Sequence, residues 1–260
     1  MNIPKLRKER SIKKYHGFEL EDNYAYVDQP HNIIEVLQQP EKILPEVREY
    51  LKKNNKLAEK YFSDTQDLQK KLFKEIKSKI KLADESLKFK DDRYYYWSKT
   101  TEKGNYGKFL RQKIGASDEE IYFDVDKEEE LSGSKYFDVG TVSVSRNDKL
   151  LAYSIDLKGS EYYDIFLRDI STNKIIENKI EKTSGSVFWA LNSKSFFYIP
   201  LDKYHRSKKI YQHVLGTSSK EDTLIFEEKD DSYSVGMSLT ADEKFFLINT
   251  SDSNTVEEYF

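Results

Sequence analysis

Four segments in the second half of the chain repeat one pattern, a polar turn followed by an apolar strand. "DDRYYYW", "NDKLLAY", "NSKSFFY" and "DEKFFLI" align on Arg93, Lys149, Lys194 and Lys244, at offsets of 56, 45 and 50 residues. The same offsets relate Phe109, Ile165 and Ile210, which open "FLRQKI", "IFLRDI" and "IYQHVL", and the last offset lands on Phe260. Between these landmarks lie further short runs rich in aromatic and β-branched residues, among them "TVSVS", "VFWAL" and "DTLIFEE". Units of roughly 40–50 residues built from short strands have the size of propeller blades. The chain ends on "SDSNTVEEYF", a polar turn and then the opening of a strand. The sequence therefore predicts a mainly β protein with an incomplete β-propeller over residues 86–260, about three and a half four-stranded blades, cut within the fourth. A β-sandwich with loosely periodic strands is the alternative.

The first 85 residues read differently. Val47, Tyr50, Leu51, Leu57 and Tyr61 form one apolar stripe, and Leu68, Leu72, Phe73, Ile76 and Ile80 another, at helical spacing. Residues 1–85 are thus expected to be a helical segment whose apolar faces need a partner. Thirty-four per cent of residues are charged, but 19 Tyr and 15 Phe supply the burial that a disordered chain lacks. Lys plus Arg (43) nearly balances Asp plus Glu (46), so no global charge points to nucleic acid. The chain has no cysteine, which removes disulfides, thiolate metal sites and a cysteine nucleophile. It has no apolar run of membrane-spanning length, and "MNIPKLRKERSIKK" lacks the apolar stretch of a signal peptide. A cytoplasmic location is the expectation.

The N-terminal "HGFELEDNYAYVDQP" resembles the signature that opens the oligopeptidase B (protease II) branch of the prolyl oligopeptidase family. His16, Gly17, Asp22 and Tyr24 match its spacing, and Tyr26 stands where the family usually has Trp. "PEVREYLKKNN" and "LQKKLFKEIKSKI" are similar to that family's N-terminal helices, and "VFWALNS" and "FEEKDDSYSV" to landmarks of its propeller. The resemblance implies a two-domain serine peptidase that cuts short peptides after Lys or Arg. Its seven-bladed propeller covers an α/β-hydrolase domain, and the N-terminal segment packs beside that domain. The hydrolase domain follows the propeller in the family and is absent from this sequence.

The residues themselves carry no catalytic machinery. A nucleophile elbow needs G-x-S-x-G, and no two of the ten glycines are four residues apart. Of the histidines, His16 belongs to the signature and His31 follows Pro30 in an expected loop. His205 and His213 flank or occupy a strand and are expected to face solvent or a local packing niche. "EEIYFDVDKEEE" (119–130) lacks the ligand spacing of an EF-hand and reads as a solvated strand edge and turn. "GNYG" (104–107) is no phosphate loop, and "EEKDDS" (227–232) reads as a charged inter-blade loop. The basic stretches 5–14 and 69–81 are interrupted by Glu9 and Glu75 and read as solvated faces. No catalytic, cofactor-binding or metal-ligating residue is assigned, no cofactor is expected, and neither nucleic acid nor membrane is expected as a partner. Short basic peptides are the expected partner once the chain is joined to a catalytic domain, and one half of a split peptidase, with its hydrolase half separately encoded, is an alternative. The rival is a non-enzymatic propeller-type binding module. Alone, the chain is expected to be inactive and marginally stable.

Overall fold

The computed structural model describes residues 2–28, 36 and 39–260. Its contacts divide the chain into two compact units, residues 1–82 and 83–260. Among the described residues no helix is long and apolar enough to cross a membrane.

The first unit opens with a hairpin that the sequence did not announce. Strands β1 (Ser11–Tyr15) and β2 (Phe18–Asp22) pair antiparallel from Ser11↔Asp22 to Tyr15↔Phe18. The two-residue loop between them, His16 (φ 48°) and Gly17 (φ 87°), is left-handed at both positions. That geometry matches the right-handed twist of the flanking strands. Read only as a signature, "HG" hid an ordinary hairpin signal. Helices α1 (Pro45–Tyr61) and α2 (Gln66–Ser78) follow, joined by a 3-10 turn at Ser63–Thr65. Pro45 starts α1, where its missing N–H costs nothing. The apolar stripes exist, but of them only Val47 is buried, while Phe73 is 68% exposed. Tyr26 is buried. Its hydroxyl donates to the Arg7 carbonyl at 3.0 Å, and the Arg7 guanidinium lies 4.4 Å from its ring centre. An aromatic face is what that cation needs, and a tyrosine supplies it.

The second unit is a row of antiparallel meanders. The first blade is β3 (Phe89–Asp91), β4 (Tyr94–Thr100), β5 (Gly107–Lys113) and β6 (Glu119–Asp124), paired in that order. The second is β7 (Asp138–Val144), β8 (Leu150–Asp156), β9 (Tyr163–Asp169) and the short β10 (Lys174–Ile175). The third is β11 (Ile180–Trp189), β12 (Ser195–Pro200), β13 (Lys209–Val214) and β14 (Thr223–Glu227). Three strands, β15 (Ser234–Leu239), β16 (Phe246–Ser251) and β17 (Val256–Tyr259), form the fourth. The incomplete propeller is therefore present, with β17 opening four residues before Phe260.

The repeat has a backbone cause. Asp92, Asp148, Ser193 and Glu243 each precede an aligned Arg or Lys, and all four are left-handed, with φ between 43° and 59°. In the last three turns that residue's N–H bonds back to Ser145, Ala190 or Thr240. Asn147, Asn192 and Asp242 accept the N–H of Lys149, Lys194 and Lys244 at 3.1, 2.8 and 3.2 Å. A short side-chain acceptor that closes a turn on its own backbone is why Asn or Asp recurs there.

Packing occurs between blades. Leu151, Tyr153 and Ile155 of β8 join Phe123 and Phe137 in one core, while Ala152 joins Ile165, Trp189 and Phe196 in the next. On β12, Phe196 and Tyr198 face that second core, and Ile199 meets Ile210, Val235 and Met237 in a third. Strands buried on both faces read as continuous apolar runs, which explains "LLAYSI" and "SFFYIP". Strand β11 serves two blades. Ile180 and Thr183 pair with β9, then the register shifts and Val187–Trp189 pair with β12. Gly185 (φ +86°) lies in the shift, where a Cβ would meet Ser154 Oγ and Tyr163 Cγ at 3.0 Å.

One expectation is overturned in part. "EEIYFDVDKEEE" does open on an exposed edge strand, but no solvated turn follows, because β6 runs directly into helix α3 (Val125–Ser132). Asp124 caps its start by accepting the Lys127 N–H, and left-handed Gly133 ends it. One of its carboxylates is firmly engaged: Glu128 takes a two-pronged bond from Arg168 at 2.7 and 2.8 Å, and both side chains are largely buried. The Asp cap and terminal Gly were visible in the sequence, but the run of charge masked them.

This packing makes two variants informative. Phe196→Ala, at a fully buried position, is expected to lower unfolding free energy by about 3–5 kcal/mol, against no more than about 0.5 for exposed Phe73→Ala. Denaturant titration of both variants checks this, and equal losses would refute the inter-blade core. Gly185→Ala is expected to cost at least roughly 1–2 kcal/mol from the left-handed backbone alone, read as a lower denaturation midpoint.

Candidate functional site

The inner strands of the four blades surround a cavity of about 260 Å³. Phe89 and Asp91 come from β3, Val142 to Val144 from β7, Val187 to Trp189 from β11 and Leu239 from β15. Most of what these strands contribute is β-branched or aromatic, which suits a packed sheet, while Asp91, Ser143, Arg146 and Glu243 make part of the lining polar. At the end where the repeated turns lie it joins a hollow of about 420 Å³ that adds Asp92, Asp148 and Leu191.

Charge concentrates at this mouth. Arg146, in the turn after β7, places Nη1 2.6 Å from Glu243 Oε2 of the fourth blade and 4.0 Å from Asp91 Oδ1 of the first. Arg93 Nη2 lies 2.5 Å from Asp148 Oδ2, and the Tyr96 hydroxyl donates to Asp148 Oδ1 at 3.1 Å. Asp91, Asp92, Asp148 and Glu243 thus face two guanidiniums, leaving the rim acidic. Burial pushes the Asp91 carboxyl above its ordinary range, with Glu243, Asp148 and Asp92 adding to the shift and Arg146 opposing it. Burial likewise pushes the Tyr96 hydroxyl up, with Asp148 next in importance. Such a rim attracts cationic groups. Sequence reasoning aligned these turn positions but used them for backbone geometry alone. Their charge was the signal it passed over.

Among the described residues no histidine lines this cavity. His16 sits in the β1–β2 loop, and His31 is outside the described residues. His205 Nε2 lies 2.9 Å from the Ser160 carbonyl, with its ring edge-on to Tyr162. His213 occupies a packing niche on β13, 2% exposed, with Asp222 at Nδ1 and Glu177 at Nε2. Among the described residues no serine hydroxyl is bonded to a histidine ring, so none is set up as an activated nucleophile. The 104–107 loop spends its N–H groups internally, since Asn105 and Tyr106 both donate to Asp126 Oδ1 at 2.9 Å. In the 227–232 segment Asp230 accepts the Ser232 N–H, and the Asp230 carbonyl holds the Lys208 ammonium. Among the described residues no group of three or more His, Asp or Glu is arranged to hold a metal ion.

Comparison with known proteins agrees with this architecture. Residues 4–260 match the family model described as "Prolyl oligopeptidase, N-terminal beta-propeller domain". Dipeptidyl aminopeptidase BI of Pseudoxanthomonas mexicana is 26% identical over 96% of this chain and 35% of its own. Oligopeptidase B from Leishmania major superposes on 99% of this chain and 37% of its own, at TM-score 0.84 and 24% identity. Oligopeptidase B from Trypanosoma brucei does so at TM-score 0.82 and 27% identity, again over 99% and 37%. This chain spans about a third of the length of the relatives it matches. A match over nearly every residue, together with three four-stranded blades and a three-stranded fourth, places the chain in the prolyl oligopeptidase family, where it corresponds to the N-terminal propeller portion.

Proposed function

We propose that this chain is the propeller-bearing portion of a cytoplasmic, oligopeptidase B-like serine endopeptidase that cleaves short peptides after Lys or Arg. The match of residues 4–260 to the family's N-terminal propeller carries this reading. The hydrolysis itself then belongs to a serine, an aspartate and a histidine on an α/β-hydrolase domain, which either follows in a longer chain or is encoded separately. The propeller portion screens what reaches that domain. Its cavity admits narrow, extended peptides, and the acidic mouth around Asp91 and Glu243 favours cationic side chains. Without the hydrolase domain the chain is inactive.

A second reading, a binding module without hydrolysis, has the three inter-blade cores in its favour, because they give this portion a packed interior of its own.

The purified 260-residue chain is expected to leave a fluorogenic Arg-Arg peptide uncleaved. Material captured from source cells with an antibody to this segment is expected to cleave it and to react with a serine-directed fluorophosphonate. Its mass should be more than twice 30.7 kDa, or include a second fluorophosphonate-labelled subunit. Hydrolysis by the purified chain alone, or captured material with no labelled serine, would overturn the peptidase reading. A single inactive band near 30.7 kDa would favour the binding module.

A further inference from the structure

The outer strand of the second blade is interrupted. β10 pairs with β9 at Lys174 and Ile175, and the chain rejoins that edge only at Ile180. Between them Glu177 reaches into the third blade, where its Oε2 lies 2.8 Å from His213 Nε2 and its Oε1 accepts the Gly216 N–H at 2.8 Å. On the other side of the ring, Asp222 Oδ1 lies 2.7 Å from Nδ1, and Asp222 Oδ2 accepts the Tyr198 hydroxyl at 2.8 Å. The side chains of His213 and Asp222 are 3% and 1% exposed, and that of Glu177 is 12%. The Phe196 ring packs 5.2 Å from the imidazole.

Counting donors shows what this cluster needs. Each of the four carboxylate oxygens accepts one bond, and the two that face the ring need an N–H from it. A neutral imidazole has one N–H, whereas an imidazolium has two. A neutral ring would turn a lone pair toward a buried carboxylate and leave that acceptor unpaired.

We propose that Glu177, His213 and Asp222 form a clasp between the second and third blades that is complete only while the ring carries both protons, which makes this junction pH-sensitive. The titratable and charged groups facing the ring are Glu177, from the segment after β10, and Asp222, ahead of β14. Tyr198 of β12 acts through Asp222, and Phe196 of the same strand presents a neutral face. The sign follows from the donors: the clasp holds with the imidazolium and weakens as rising pH removes a ring proton.

Glu177→Gln separates this device from simple packing. The amide can donate to Nε2 of a neutral ring while its oxygen keeps the Gly216 N–H, so the variant satisfies the network without the second proton. Thermal unfolding of the wild-type chain and E177Q would be followed from about pH 6 to about pH 8.5. The wild-type Tm is expected to exceed that of E177Q at the acid end, and its lead to shrink by about 2–4 °C at the alkaline end. Nitrogen-15 spectra of histidine-labelled chain, assigned with His213→Gln, should show an imidazolium at His213 at about pH 6. A Tm difference that stays constant with pH, or a neutral His213 tautomer at the acid end, would overturn the proposal. If E177Q fails to fold, the wild-type spectrum decides alone.

Discussion

The propeller rests on burial of its middle strands from both sides. β8 sends Leu151 and Tyr153 toward the first blade and Ala152 toward the third. β12 divides Phe196 and Ile199 between the second and fourth. A 37% apolar composition can support this because so much of the area is aromatic, and each buried ring removes a large surface from water. Charge is admitted to the junctions only where it is matched. Arg168 meets Glu128 in a two-pronged bond and stands 4.8 Å from the Tyr153 ring centre, so the cation is paired on one side and faces π density on the other.

Much of this was legible in the sequence, for physical reasons that the structure makes explicit. The aligned lysines mark turns in which one residue is left-handed and an Asn or Asp side chain closes the loop, so the offsets of the repeat are offsets of backbone geometry. Helical periodicity located α1 and α2 because the 3.6-residue spacing survives even where the apolar face is exposed. What escaped was structure written in polar residues. The β1–β2 hairpin hangs on a His-Gly pair, and α3 hangs on an Asp cap and a terminal Gly within a run of acids. The sharing of β11 between blades was illegible, because pairing partners are chosen by a register shift and not by residue type.

The cavity mouth shows the same division. Its backbone was inferred from the repeat, but its chemistry depends on which turns meet in space. Arg146 and Glu243 lie almost a hundred residues apart and belong to different blades, so nothing local in sequence pairs them. The residues supply the acidic balance.

The arrangement of the cores also dictates how the unit comes apart. Each core joins only adjacent blades, so stability is close to a sum of nearest-neighbour terms along a row, as in repeat proteins. β11 breaks that uniformity, because one continuous strand contributes to the second and third blades and those two cannot melt independently. The first and fourth blades share no strand with this pair and are held to it by packing and by side-chain bonds such as Arg93 to Asp148 and Arg146 to Glu243. Amide exchange should therefore be slowest in β8, β9, β11 and β12 and quicken outward, a gradient of cooperativity set by one strand that crosses from one blade to the next.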